Sequence, residues 1–320
     1  MVVFAHGTTG VGSECAPSNI MQAYGRYDYY ELIALLAYNG IAVVAPDYEG
    51  RGPGITDGHP YLHVASAGNS MALAAVAAKK SLGTKLSGAW AMMGHSQGGH
   101  AALAGAQFSD LASQIDSSLS YKGAIAIAPA SNFSLALNAM LDTISKATDS
   151  SQFLNAYDTL GTLNFYASYI AKGSDSTIEP VLVETVFGQR LRDLHNAYAG
   201  QCGGAYSGAI SNDVALFAAT PQATPAKYPG VIAAEFNKPS VQRSLRALEP
   251  GTVRLPGNTL IVQGADDTTV LPETTIALKN LMSSKNSRVT LNVYPGAGHN
   301  DVLSKAQNDM TFHLKTIFQP

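Results

Sequence analysis

The sequence predicts an α/β fold, a mostly parallel central sheet flanked by helices and carrying a mainly helical insertion. Three observations support it. Short, continuously apolar runs alternate with helical patterns through residues 1–130, and the same rhythm returns at 257–320. Between them, across 131–256, strong strand runs are missing and helical patterns dominate. Continuous apolar runs mark strands buried on both faces, whereas apolar–polar alternation would mark a sheet with one wet face. The expected organisation is therefore one core built from 1–130 and 257–320, with 131–256 inserted as a helical cap or lid.

Val2 to Ala5 is the first short strand. Residues 20–38 follow as a helix stopped by Asn39-Gly40, a helix C-terminal signal. Ile41 to Ala45 is the next strand, ended by Pro46. An Ala-rich helix covers 62–82 and stops near Gly83. Ala89 to Met93 is a strand, Gly99 to Leu111 a helix, and Gly123 to Ala128 a strand ended by Pro129. Within the insertion, Val181 to Leu194 and Pro239 to Leu248 have helical patterns. A structureless loop of that length is improbable in a compact domain. After it come strand Thr259 to Val262, helix Pro272 to Met282, strand Val289 to Tyr294 and helix Asn300 to Phe318.

Composition narrows the function. A chain of 320 residues easily supports a full hydrophobic core. Charged residues make up 13%, against about 25% in typical domains. With a net charge of −3 and no basic run, nucleic acid is not an expected partner. No run of about 20 uncharged apolar residues exists, so no membrane span is expected. The chain opens on an apolar strand with no signal-peptide pattern, as a mature or shortened product would. Cys15 and Cys202 cannot build a four-ligand zinc site without histidines at finger-like spacing. They are read as two buried thiols or as a disulfide. The disulfide, with the weak surface charge, points towards a secreted or periplasmic protein.

The chemistry centres on Gly94-His95-Ser96-Gln97-Gly98. An apolar strand precedes it and an Ala-rich helix follows. In Gly-x-Ser-x-Gly the serine sits on a sharp turn between strand and helix, and the flanking glycines keep side chains out of the crowded space. Ser96 is thus the candidate nucleophile. A serine hydroxyl needs a base, and the base needs an orienting acid, in the chain order Ser, acid, His. His299 lies in the loop after the last strand. His195 falls in the insertion, His313 within the last helix, and His6, His59, His63, His95 and His100 come too early. The acid should follow a strand between Ser96 and His299. Asp266 and Asp267 both follow Thr259 to Gly264; neighbours on a turn point apart, so only one can face His299, and Asp267 is preferred. The loop after Ala128 contains no carboxylate.

An oxyanion needs two N–H donors. One is the Gln97 amide, directly after the nucleophile. The other is expected in His6-Gly7-Thr8-Thr9-Gly10, with Thr8 preferred and Gly7 and Thr9 in reserve. This chemistry requires no metal or organic cofactor.

With these pieces the chain resembles the bacterial branch of the secretory lipase family, the lipase A-like group of α/β hydrolases. The resemblance rests on His6 to Gly10, Cys15-Ala16-Pro17-Ser18, Ala45-Pro46-Asp47-Tyr48-Glu49-Gly50 and His59-Pro60-Tyr61-Leu62. It continues through Gly94 to Gly99, Ala128-Pro129-Ala130-Ser131, Gly264 with Asp267 and Val270, and Gly298-His299. It covers nearly the whole chain and is thin across 135–250. It implies the α/β-hydrolase fold and a secreted esterase or lipase with a helical cap, and it supports Ser96, Asp267 and His299 as the triad. Family members usually carry additional sequence, strands included, before the oxyanion strand, on which this chain begins. The sheet is therefore expected to be smaller at one edge, or the chain shortened. The expected partner is a small-molecule acyl ester of short to medium chain length. A serine peptidase or amidase and a lid-gated lipase are the alternatives.

Overall fold

The computed structural model describes residues 1–19, 27–55, 58–174 and 178–319. Among these residues six strands form one sheet: β1 (Val2–Ala5), β2 (Val43–Val44), β3 (Ala89–His95), β4 (Ser120–Ile127), β5 (Asn258–Gly264) and β6 (Arg288–Tyr294). Their spatial order is β2-β1-β3-β4-β5-β6, and every neighbouring pair is parallel. The sheet explains the unbroken apolar runs. Val3, Ala5, Trp90 and Met92 pack into one helix-covered layer, while their neighbours Val2, Phe4, Ala91 and Met93 pack into the other. A period-2 strand with helices on both faces needs an apolar residue at every position.

The core helices are α1 (Tyr27–Tyr38), α2 (Val64–Leu82), α3 (Gln97–Gln107), α4 (Asp110–Ile115), α12 (Pro272–Ser284), α13 (Val302–Lys305) and α14 (Gln307–Phe318). Of the helix expected at 20–38, residues 20–26 lie outside the described residues. The helix expected from 62 starts at Val64, because the side chain of His63 accepts the Ser66 N–H as its N-cap. It ends at Gly83, whose φ of 55° continues no helix. The strand expected over 41–45 shortens to two residues, since the Ile41 N–H is spent on Leu36. The helix expected over 99–111 instead starts at Gln97, directly after the serine turn, and a second helix takes up at Asp110. The last helix starts at Val302 rather than Asn300, where the Asp301 carboxylate accepts the Gly298 N–H, and it is interrupted at Ala306.

Between β4 and β5 the chain forms α5 (Phe133–Lys146), α6 (Ser150–Lys172), α7 (Ile178–Val186), α8 (Gln189–Tyr198), α9 (Gly203–Ala218), α10 (Ala233–Phe236) and α11 (Pro239–Ala247). They share a hydrophobic cluster that includes Leu160, Leu163, Phe187, Leu191 and Ile210. The long helix α6 opens with a capping box, Asp149 with Gln152. The pattern at 181–194, expected as one helix, is split at Phe187-Gly188, because Phe187 pairs with Val231 and the Gly188 N–H bonds Gly230. Among the described residues no helix is long and apolar enough to cross a membrane.

Candidate active site

The chain leaves β1 outward to β2 and returns past β1 to β3, so the sheet switches direction between β1 and β3. Ligands in open parallel sheets bind beyond the strand C-termini at such a point. The loops after β1 and β3 carry His6–Gly10 and Ser96, and those after β5 and β6 carry Asp267 and His299.

Ser96 has φ 59° and ψ −118°, a region that a residue with a Cβ rarely adopts. Its backbone over-determines the turn. The Ser96 N–H donates to Ile127 O at 2.8 Å, and Ser96 O accepts from His100 N and Ala130 N. The flanking glycines are required by close approach. A Cβ on Gly94 would lie 2.2 Å from Gly98 O, and one on Gly98 would lie 1.9 Å from Ala5 O. The same crowding brings the two loops together, since a Cβ on Gly7 would lie 3.7 Å from that of Ser96.

Asp267 is 2% exposed. Its Oδ1 accepts the N–H groups of Thr269 and Val270, both at 2.8 Å. Its Oδ2 accepts from Gln263 Nε2 at 3.1 Å and from His299 Nδ1 at 2.7 Å. Asp266 is exposed and holds Ala297 O through its N–H alone. The structure therefore brings Asp267, not Asp266, to His299. With Nδ1 committed to the carboxylate, His299 keeps its lone pair on Nε2.

Neither the Gln97 nor the Thr8 amide donates to a protein group among the described residues. The Gly7 amide does, to Tyr29 OH at 3.1 Å. Thr8 is steadied by its hydroxyl against Tyr61 OH at 2.9 Å.

Side-chain contacts that no local motif signals hold these loops together. Tyr29 OH donates to His95 Nδ1 at 2.8 Å, and His95 Nε2 donates to His299 O at 2.8 Å. This relay ties the His6–Gly10 loop, the serine turn and the histidine loop into one unit. Gln97 Nε2 donates to His59 Nε2 at 2.7 Å, while His59 Nδ1 donates to Glu49 O. Burial, followed by the nearby Arg51, holds His59 well below the usual histidine range, so it stays neutral. Disulfide Cys15–Cys202 closes 187 residues, worth about 5 kcal/mol on the chain-entropy model. It sits beside the Gly10–Cys202 bridge and the bond from Gly203 N to Thr9 O, which together fasten the His6–Gly10 loop to α9.

A second Ser–His–acid chain lies in the inserted helices. Tyr206 OH donates to Ser168 Oγ, Ser168 Oγ to His195 Nδ1 at 2.6 Å, and His195 Nε2 to Glu179 at 3.1 Å. Ser168 is 0% exposed and its hydroxyl is occupied from both sides. The chain is a satisfied buried network, not a second reactive centre.

Ser96 opens onto a narrow cavity of about 50 Å³ whose walls include Leu62, Phe133, Leu137, Met140, Tyr166 and Ile170. Its α5 wall is anchored by Glu249, which accepts the N–H groups of Asn132 at 2.6 Å and Phe133 at 2.8 Å. Burial pushes the Glu249 carboxyl up to about 7, against the pull of those two bonds. A folded value above the unfolded one means the folded state holds the extra proton. Its stabilising contribution is full below about pH 4 and is lost as pH rises through about 7. Glu249→Gln should thus remove about 3 kcal/mol of pH dependence from the unfolding free energy between those limits. Denaturant unfolding of both proteins across that range checks this; a parent-minus-variant difference that does not change with pH would reject it.

The comparisons agree with this architecture. The alpha/beta hydrolase family matches residues 2–308. No curated protein matches the sequence. Among solved structures, the rice cell wall degrading esterase LipA from Xanthomonas oryzae is similar at 21% identity with a TM-score of 0.64, over 98% of this chain and 79% of that one. Candida antarctica lipase A in its closed state is similar at 13% identity with a TM-score of 0.68, over 99% and 70%. At such identities the likeness is one of fold. The sheet, the serine turn and the match over nearly the whole length lead to one conclusion: the chain belongs to the alpha/beta hydrolase family.

Proposed function

We propose that this protein is a serine carboxyl-ester hydrolase for short- to medium-chain acyl esters. The observation that carries the reading is the 2.7 Å bond from His299 Nδ1 to the buried Asp267 carboxylate, in a loop held at His299 O by His95, the residue before the strained Ser96 turn. His299 Nε2 takes the Ser96 proton as the hydroxyl attacks the ester carbonyl. The Gln97 and Thr8 amides receive the oxyanion. The imidazolium, steadied by Asp267, then returns its proton to the leaving alcohol. Water activated by the same imidazole releases the acid.

Residues 131–256 act in this reading as a cap over the site, and their α5 and α6 form the acyl pocket. The narrow cavity supports a short acyl group over a long one. The similar structures named above are an esterase and a lipase, which favours an ester over an amide. The disulfide supports an exported protein.

A chain-length series of chromogenic esters, with an aminoacyl anilide, tests the reading. Hydrolysis of soluble short esters, without a jump in velocity past the solubility limit, is the expected result. Hydrolysis of the anilide alone would overturn it.

A further inference from the structure

Arg51 is 6% exposed, and among the described residues no carboxylate forms an ion pair with it. Leaving a charge buried without a counter-ion is costly unless hydrogen bonds hold it. Its hydrogen-bond partners are all neutral and belong to one loop, while the Asp47 carboxylate, not in ion-pair contact, still favours the cation. Nη1 donates to Thr9 Oγ1 at 2.7 Å and faces His6 Nε2 at 3.3 Å, and Nη2 donates to Gly10 O. The guanidinium also lies over the Tyr48 ring, 5.7 Å from its centroid.

These contacts bracket Thr8. His6 donates from Nδ1 to Gly7 O at 2.6 Å, and Tyr48 OH donates to His6 O at 2.8 Å. Thr9 Oγ1, which accepts from Arg51, donates in turn to Cys15 O at 2.8 Å. The loop is therefore held on both sides of Thr8 while the Thr8 amide stays uncommitted. His6 is kept neutral: burial first, and the adjacent Arg51 second, lower it to about 3. That leaves its Nε2 able to accept from the guanidinium rather than repel it.

We propose that Arg51 is a positioning residue for acyl transfer, its buried cation and planar fork fixing the His6–Gly10 loop so that the Thr8 amide meets the developing oxyanion. The inference rests on the ester-hydrolase reading above. A preorganised positive potential behind an N–H donor favours the charge that appears only in the transition state, so it acts on turnover rather than on ground-state binding. Lysine keeps the charge and loses the fork; methionine loses both.

The test compares the full chain with Arg51→Met and Arg51→Lys on a soluble short-chain p-nitrophenyl ester. A boronic acid, whose adduct with the serine mimics the tetrahedral intermediate, is measured alongside. Arg51→Met should lower kcat by roughly 10- to 100-fold, with KM within about twofold and boronate affinity falling in parallel with kcat. Arg51→Lys should fall between the two. A folded Met variant with parental kcat and boronate affinity would overturn the role. If the Met variant does not fold, a folded Lys variant with parental values for both does the same. Fluorophosphonate labelling of the parent separates the two claims. Failure to label Ser96 defeats the ester-hydrolase reading itself; labelling with unchanged Arg51 variants defeats only the role of Arg51.

Discussion

Replacing Ser96 with alanine should lower the turnover of a soluble acyl ester by about 10⁶-fold, the loss seen when a triad nucleophile is removed. The substitution deletes one oxygen. The strained backbone at φ 59° is set by the bonds of Ser96 N and O to Ile127, His100 and Ala130, and alanine retains all three. Stability should therefore change little, and the loss should appear in kcat with KM nearly unchanged. Background hydrolysis by the oxyanion amides and the pocket sets the floor. Steady-state kinetics on purified parent and variant, with thermal unfolding of each, make the comparison. A variant within tenfold of the parent would remove Ser96 from the mechanism.

The parts of this protein legible from its sequence are those written locally. The sheet strands show as uninterrupted apolar runs because both of their faces are covered. The serine turn shows because two glycines are sterically compelled within five residues. Turn geometry says only that one of Asp266 and Asp267 faces His299. What orients the Asp267 carboxylate, three N–H donors from Gln263, Thr269 and Val270, depends on how the turn closes.

Contacts made by strand order were not legible. Tyr29 lies in a stretch that reads only as a helix, yet β1 and β3 are neighbours and α1 packs beside them, so its hydroxyl reaches both Gly7 and His95. Arg51 stands in a glycine-rich loop where a charge is usually solvated; it is buried because that loop folds back onto the one after β1. The split of 181–194 at Phe187 likewise comes from a distant strand-like partner, Val231, overriding local helical preference.

Asp267→Asn should lower kcat by about 10⁴-fold, while the neighbouring Asp266→Asn stays within about twofold of the parent. The Asp267 carboxylate receives four donors, two N–H groups on Oδ1 and the Gln263 and His299 side chains on Oδ2. An asparagine amide has one accepting and one donating end, so it cannot satisfy both sets. Oriented to keep the Thr269 and Val270 amides, it presents NH₂ towards His299 Nδ1. The imidazole then accepts there and carries its proton on Nε2, the nitrogen that must take the proton from Ser96. The base is lost through its tautomer, with no gross change of fold. Asp266 makes no such demand, because its side chain is exposed and its backbone N–H to Ala297 O survives the substitution. Measuring kcat for both variants under one set of conditions decides the assignment. Equal losses, or a larger one at Asp266, would reverse it. Since neither change touches the pocket, a loss confined to kcat places the defect in proton transfer rather than in substrate binding.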